Sequence, residues 1–190
     1  MGREFELKYQ ATPEILEIIQ EKYGNFAKIS METTYYDTPG RDLKALRWTL
    51  RRRLENGRSV CSLKTPGDFI RRGEWEVEAP SLENTIGDLL ALGAPEELGT
   101  YAAKGLSPVC GAKFTRRAAL LALPEGTVEL ALDQGVFLGG GKEQPFAEIE
   151  VELKSGSEEA ALAFGAQLAR EYCLTPETKG KVERAMALQS

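Results

Sequence analysis

Apolar and polar residues alternate along several short segments of the chain. In residues 3–9, for example, Phe5, Leu7 and Tyr9 are separated by charged side chains. A period of two is typical of a β-strand whose faces lie in different environments, because successive side chains point to opposite sides. The alternation predicts strands at about residues 3–9, 31–37, 47–54, 58–65, 73–79, 113–123, 127–133 and 146–153.

Other segments carry apolar residues three and four positions apart, which predicts helices. The first, over residues 13–23, begins after Thr12, a residue type that caps helix N-termini, and ends near Gly24. Further helices are predicted over residues 82–92, 157–172 and 181–189. Many strands joined by short turns predict an α+β fold, in which an antiparallel sheet or barrel carries helices on its outside.

Composition narrows the classes of protein that fit this pattern. The 190 residues are 42% hydrophobic and 28% charged, which suits a single domain over residues 1–190. The net charge of −5 argues against a broad nucleic-acid-binding face. No run approaches the roughly 18 apolar residues of a membrane span. We therefore expect a cytoplasmic monomer or homodimer that binds neither membranes nor nucleic acid.

The available side-chain chemistry is also restricted. The sequence has no histidine, which excludes imidazole-based catalysis and most zinc sites. The three cysteines are far apart and do not have metal-ligand spacing, so reduced thiols are expected. Any reaction must therefore use carboxylates, lysines, arginines or a bound metal ion.

The segment over residues 47–65 predicts a hairpin that gathers cations. Asn56-Gly57 is a strong signal for a two-residue turn with positive φ. Counting outward from this turn places Arg51 opposite Ser62 and Arg53 opposite Val60, and it places Lys64 opposite Thr49. Because side chains alternate, Arg51, Arg53 and Lys64 share one face. The other face holds the apolar set Leu50, Leu54, Cys61 and Leu63, with Arg52 at its edge.

Other strands carry carboxylates on one face, namely Glu74, Glu76 and Glu78, then Glu129 and Asp133, then Glu148, Glu150 and Glu152. Two interpretations are open. An antiparallel sheet with one face in water alternates in this way routinely. Alternatively, the sheet closes into a barrel of about eight strands, wide enough for one small ligand. In a barrel, the carboxylates would hold divalent cations while Arg and Lys side chains bind an anion.

Several motifs resemble those of a known family. Glu4-Phe5-Glu6-Leu7-Lys8 resembles the E-x-E-x-K signature at the amino terminus of the CYTH family, the triphosphate tunnel metalloenzymes. Further motifs follow in family order: TYYDTP at 34–39, LRRR at 50–53, SLK at 62–64, RGEWE at 72–76, FTRR at 114–117, VELALDQG at 128–135, EIEVELKSG at 148–156 and TKGKVER at 178–184. The resemblance covers nearly the whole chain.

The resemblance implies a closed eight-stranded antiparallel tunnel, with helices outside, that binds a triphosphate together with Mg²⁺ or Mn²⁺. It implies metal binding by Glu4, Glu6, Glu150 and Glu152, and catalysis by Glu4, Glu6, Lys8 and Glu150. It implies substrate binding by Lys8, Arg51, Arg53, Lys64, Arg72, Glu74, Glu76, Arg116, Arg117, Asp133 and Lys179. Alternation alone does not decide whether Arg116 or Arg117 faces inward. The family's terminal Ser-Lys pair reads Thr178-Lys179 here, which leaves the role of Arg184 open.

The resemblance favours a metal-dependent enzyme that hydrolyses inorganic triphosphate to pyrophosphate and phosphate. Two other reactions are known among relatives, the hydrolysis of thiamine triphosphate and the cyclisation of ATP by class IV-type adenylate cyclases. A third possibility is a module that binds polyphosphate without catalysis. The complete set of glutamates argues against that module, because carboxylates weaken the binding of a polyanion unless metal ions bridge the two.

Overall fold

The computed structural model of the protein describes residues 5–66 and 73–189. The strands are β1 (Glu6–Gln10), β2 (Ala27–Asp37), β3 (Thr49–Glu55), β4 (Arg58–Thr65), β5 (Gly73–Glu78), β6 (Ser107–Leu123), β7 (Gly126–Gly139), β8 (Lys142–Gly156) and β9 (Thr175–Pro176). The helices are α1 (Pro13–Tyr23), α2 (Asp42–Ala45), α3 (Ile86–Ala91), α4 (Glu97–Ala103), α5 (Glu158–Tyr172) and α6 (Lys181–Ala187).

Each predicted strand and helix has a counterpart, with differences at the ends. α1 covers the predicted range, and its cap Thr12 accepts a hydrogen bond from the backbone N–H of Ile15. Ser157 caps α5 in the same way, by accepting from Ala160 N–H. The helix predicted over residues 82–92 is shorter and begins at Ile86. The short elements α2, α4 and β9 were not predicted.

The strands form one antiparallel sheet in the order β5-β4-β3-β2-β6-β7-β8-β1-β9. This confirms a large antiparallel sheet. The ladders do not show the predicted closed eight-stranded barrel, because within the described ranges the two terminal strands of the order, β5 and β9, do not pair with each other. The free edge of β1 is used by β9, which pairs Tyr9 with Pro176 and Gln10 with Thr175.

Two apolar clusters cover one face of the sheet, here called the outer face. Beneath α1 and α5 lies the first cluster, in which Leu16, Ile19 and Leu168 pack on Leu130 and Ile149. The second lies beneath α2, α3 and α4 and joins Leu43, Leu50, Leu63, Leu89 and Leu98. The apolar positions of the alternating strands supply the sheet side of both clusters, as the sequence pattern predicted.

Helix α6 packs on the opposite face of the sheet, here called the inner face. Its buried Ala185 and the half-buried Val182 and Met186 lie against an apolar patch of β2, β6 and β7, formed by Met31, Tyr35, Cys110, Ala112, Phe114 and Phe137. The prediction that all helices lie outside is therefore wrong for α6. None of the helices in the described part of the chain is long and apolar enough to cross a membrane.

Candidate functional site

The inner face collects most of the charged residues singled out by the sequence. The register aligns Glu6 with Glu152 and Lys8 with Glu150 between β1 and β8. Across the rest of the sheet it aligns further inner-face side chains in the same way, namely Glu129, Asp133, Glu148, Arg116, Thr33, Tyr35, Arg51, Arg53, Ser62, Lys64, Glu74 and Glu76. Acidic and basic groups from seven strands therefore share one surface.

Arg51 and Arg53 project from β3 onto this face. Arg51 Nε donates a hydrogen bond to Ser62 Oγ on β4 at 2.9 Å. Arg53 Nε donates to Thr33 Oγ1 on β2 at 3.3 Å. Burial lowers the pKa of Arg53 to about 10, and the neighbouring cation Arg51 adds to this effect. This part of the site is therefore a strongly cationic, partly desolvated surface.

Lys64 and Glu74 extend the cationic surface toward the β5 edge. Lys64 Nζ lies 3.3 Å from Glu74 Oε1, and Arg51 Nη2 lies 3.7 Å from the same oxygen. Glu76 faces the same side but is exposed to solvent. One carboxylate therefore lies close to both cations, at ion-pair distances.

A buried ionic network occupies the centre of the inner face and holds α6 to the sheet. Arg116 makes a double contact with Asp133, at 2.8 and 2.7 Å, and a further one with Glu150. Lys181 of α6 contacts Asp133 at 2.8 Å and Glu150 at 2.6 Å, and also contacts Glu148. Arg184 contacts Glu148 as well. The network thus pairs three carboxylates with three cations.

The pKa values reflect this pairing. Burial favours the neutral form of Lys181, but Asp133, Glu150 and Glu148 outweigh burial and raise its pKa. Burial alone would raise the pKa of Glu150, yet Lys181 and Arg116 hold it well below its ordinary value. At Glu148 burial dominates and raises the pKa, with Lys181 offsetting part of the effect. Cations therefore favour the charged form of Glu150, whereas burial outweighs them at Glu148.

A second group of carboxylates lies toward the other end of β8. Glu6, Glu152 and Glu129 stand directly opposite one another on β1, β8 and β7. Their cationic neighbours include Lys8, 3.8 Å from Glu6, and Lys154, 2.8 Å from Glu152 and 3.9 Å from Glu129. These carboxylates are only partly buried, so they are more accessible than the central network.

The sequence matches the family model of the CYTH domain over residues 2–186. The chain belongs to the CYTH family. It is also 30% identical over 200 residues to the inorganic triphosphatase of Haemophilus influenzae. That match spans 100% of this chain but only 56% of the relative, so the CYTH chain covers little more than half of the relative's length.

Solved structures share the fold of this CYTH chain. The PH1819 protein of Pyrococcus horikoshii is 24% identical, with a TM-score of 0.66 over 97% of this chain and 99% of its own. A Hippeastrum protein, named as a candidate adenylyl cyclase and reported to have a dominant triphosphatase activity, is 17% identical, with a TM-score of 0.70 over 100% of this chain and 97% of its own. At these identities, the likeness concerns the fold.

The structure brings together many of the predicted site residues. Those on the inner face are Glu6, Lys8, Arg51, Arg53, Lys64, Glu74, Glu76, Arg116, Asp133, Glu150 and Glu152. Asp133 is fully buried behind Arg116, so it orients that guanidinium and does not line an open surface. Glu4 and Arg72 lie outside the described residues.

Arg117 and Lys179 lie apart from this surface. Arg117 points to the outer face, where its guanidinium contacts Gln20 of α1 and, at 3.5 Å, Gln134. Lys179 is exposed. Both line an open cavity of ≈ 1190 Å³ beside residues 144–147 of β8, which extend beyond the segment paired with β1. The cavity meets the central network at Arg184. The register thus places Arg116, and not Arg117, among the inner cations.

Sequence reasoning missed Lys181 and Glu148, and it left Arg184 undecided. Lys181 and Arg184 are three residues apart on α6, which places them on one side of the helix. That spacing was a usable signal, but it required knowing that α6 covers the inner face. Glu148 belongs to the recognised alternation of β8, and only its pairing with Lys181 distinguishes it from Glu150 and Glu152.

The carboxylate donors of the inner face suit Mg²⁺ or Mn²⁺, which prefer hard oxygen ligands. Within the described residues, Asp133, Glu148 and Glu150 bring oxygens within 4.8 Å of one another. Lys181 contacts all three, so a metal ion at this position would compete with an ammonium group. Glu6 and Glu152 are more accessible than these three carboxylates, and they fit a metal ion better. This assignment shares Glu6 and Glu152 with the set predicted from the sequence.

Proposed function

We propose that this chain is a metal-dependent triphosphatase that hydrolyses inorganic triphosphate to pyrophosphate and phosphate. One observation carries the proposal: a single sheet face presents several guanidinium and ammonium groups beside accessible carboxylates. A polyanion needs the cations, and a metal-bound polyanion also needs the carboxylates. The 30% identity to an inorganic triphosphatase supports this choice of substrate.

The phosphate groups bind to Lys8, Arg51, Arg53, Lys64 and Arg116 in this proposal. Planar guanidinium groups match pairs of phosphate oxygens, and the lysines add compact charges. Glu74 pairs with Lys64, and Asp133 orients Arg116. We add Arg72 to the substrate residues from the resemblance, and we omit Arg117 and Lys179 because of their positions.

We place the metal ion on Glu6 and Glu152, with Glu4 added from the resemblance and Glu150 at the margin. When bound, Mg²⁺ or Mn²⁺ supplies charge neutralisation of the phosphates and lowers the pKa of a water molecule. The chain itself contributes positioning. Its cations hold the leaving pyrophosphate and orient the terminal phosphate, which is most of what phosphoryl transfer requires of a protein.

We also propose that the sheet curls around the substrate as a tunnel. In a flat sheet, β6 and β1 would lie about 14 Å apart, since three strand spacings separate them. Burial lowers the pKa of Arg116 on β6, but Glu150 and Asp133 outweigh burial and raise this pKa. Nevertheless, Glu6 on the distant strand β1 also adds to the rise. Together with the resemblance to tunnel enzymes, this interaction supports a concave inner face.

The test is a phosphate-release assay with tripolyphosphate, thiamine triphosphate, ATP and pyrophosphate, each with Mg²⁺, Mn²⁺ or chelator. We expect the fastest release from tripolyphosphate and none with chelator. Glu6→Gln should abolish metal-dependent release while leaving the fold intact. Glu171→Gln is the matched control, because Glu171 is exposed in α5 on the outer face and pairs with Lys22 of α1 at 2.5 Å. Tripolyphosphate binding without release under every condition would refute the enzyme proposal.

A further inference from the structure

Two buried hydroxyl groups flank the arginines of β3. Thr33 of β2 stands directly opposite Arg53, and Ser62 of β4 stands directly opposite Arg51. The two polar residues are only 2% and 1% exposed. Each accepts a hydrogen bond from the Nε–H of its arginine, at 3.3 Å and 2.9 Å respectively. β3 is therefore flanked by one hydroxyl on each side.

The contact at Nε leaves the ends of both guanidinium groups available. A guanidinium has five N–H donors, of which only one is on Nε. Arg51 Nη2 lies 3.7 Å from Glu74, and Arg53 Nη1 lies 3.6 Å from Glu55. These distances exceed hydrogen-bond length. Each hydroxyl thus fixes its arginine at the stem, and the terminal nitrogens can form a fork for phosphate oxygens.

We propose that Ser62 and Thr33 are positioning residues, which orient Arg51 and Arg53 before a phosphate-bearing substrate binds. This inference rests on the proposed function for its substrate. Long side chains lose conformational freedom when they bind a ligand, and groups ordered in advance avoid that cost. Burial of the two hydroxyls makes the orientation durable, because a buried Nε–H without a partner is unfavourable.

The same strand provides an internal control on the outer face. Arg52 Nε donates to Ser59 Oγ at 2.8 Å. This bond has the same chemistry as the one between Arg51 and Ser62. However, Arg52 points away from the inner face. Removing the Ser59 hydroxyl therefore tests the loss of an arginine–serine bond without touching the proposed substrate surface.

The experiment compares Ser62→Ala, Thr33→Val and Ser59→Ala with the wild type in steady-state kinetics on tripolyphosphate. We expect KM to rise about tenfold in the first two variants, with kcat changed by less than about twofold, since one hydrogen bond to a charged group is lost. Ser59→Ala should match the wild type. The conservative variants Ser62→Thr and Thr33→Ser should restore KM, because they restore a hydroxyl.

A second measurement separates this inference from the proposed function. NMR of the substrate-free protein follows exchange of the arginine Nε–H protons with water. We expect faster exchange at Arg51 in Ser62→Ala and at Arg53 in Thr33→Val. Unchanged exchange, or an unchanged KM in both variants, would overturn the inference. If the wild type binds tripolyphosphate without hydrolysing it, the enzyme proposal fails, and a tenfold rise in Kd then supports the positioning role.

Discussion

Three consecutive arginines show how alternation assigns different tasks to identical side chains. Arg51 and Arg53 lie on the inner face, whereas Arg52 between them bonds to Ser59 on the outer face. We expect Arg51→Ala and Arg53→Ala each to raise KM for tripolyphosphate more than about tenfold, because each removes a charged fork. Steady-state kinetics on the three alanine variants measures this. Arg52→Ala is the control, and equal effects from all three would contradict the assignment.

Lys181 is predicted to matter for stability because it contacts three buried carboxylates. Lys181→Met leaves these groups short of a cation, and breaking a buried ionic network typically costs about 3–5 kcal/mol. The pKa of Lys181 is raised in the folded protein. The charged lysine therefore stabilises the fold fully at any pH below the ordinary lysine pKa, and this stabilisation is lost only at higher pH. Urea unfolding at neutral pH should therefore show the full loss.

The loss in Lys181→Met should shrink in acid. The wild type loses stability as the pH falls through the pKa of Glu150, which is held low in the folded state. In the Lys181→Met variant, a buried carboxylate has lost this cation, so folding should favour its protonated form. Lowering the pH should therefore stabilise the folded variant. Urea unfolding at about pH 8 and at about pH 4, just below the ordinary pKa of a glutamate, compares the two trends. A gap between wild type and variant that is the same at both values would show that Lys181 acts by packing alone.

At the level of elements, the register of the β3–β4 hairpin could be predicted from its turn. Asn56 and Gly57 both have positive φ, and every pair counted outward from them occurs in the structure. Turn chemistry fixes the register locally, so no distant contact was needed. α6 is the opposite case. Its position depends on Lys181 meeting carboxylates of β7 and β8, which are remote in sequence, and the family resemblance pointed to Lys179 instead.

The contact between α6 and the tip of the β7–β8 hairpin should be sensitive to a single methyl group. A Cβ on Gly139 would lie 2.3 Å from the carbonyl oxygen of Ala185 and 3.2 Å from Leu188 Cβ. We expect Gly139→Ala to destabilise the protein by about 1–3 kcal/mol, because either the helix or the hairpin must shift. Urea unfolding provides the measurement.

Gly87→Ala is the control for that contact. Gly87 lies in α3, and a Cβ there would meet nothing within 4 Å. Its replacement should be neutral, or stabilising by up to about 1 kcal/mol, since Ala favours helix more than Gly does. A similar loss of stability in both variants would mean that the contact between hairpin and helix contributes nothing specific.

For the whole molecule, the sequence predicted the antiparallel sheet and the separation of its charged and apolar faces. It did not predict the order of strands at the edges. A closed barrel would require β5 to pair with the edge of β1. That edge is occupied by β9, because the chain returns after α5 and places Thr175 and Pro176 beside β1. Such a pairing joins residues far apart in sequence and has no local signal. The resemblance supplied the expectation of a closed tunnel, which periodicity alone left undecided.

The distribution of charge, and not its total, should control how the molecule responds to polyanions. A net charge of −5 would repel tripolyphosphate if the total decided binding. Because the inner face concentrates arginines and lysines, we expect tripolyphosphate with Mg²⁺ to stabilise the fold by about 2.7 kcal/mol at a concentration 100-fold above Kd. For a chain of this size, that free energy corresponds to a rise in Tm of roughly 5–10 °C, measurable by thermal unfolding.

Two controls apply. Sodium chloride at equal ionic strength, added in place of tripolyphosphate, should give little rise in Tm. The double variant Arg51→Ala/Arg53→Ala with tripolyphosphate should also lose most of the rise. An equal rise in the double variant would mean that the polyanion binds elsewhere, and the open cavity near Arg117 and Lys179 would then be the next surface to test.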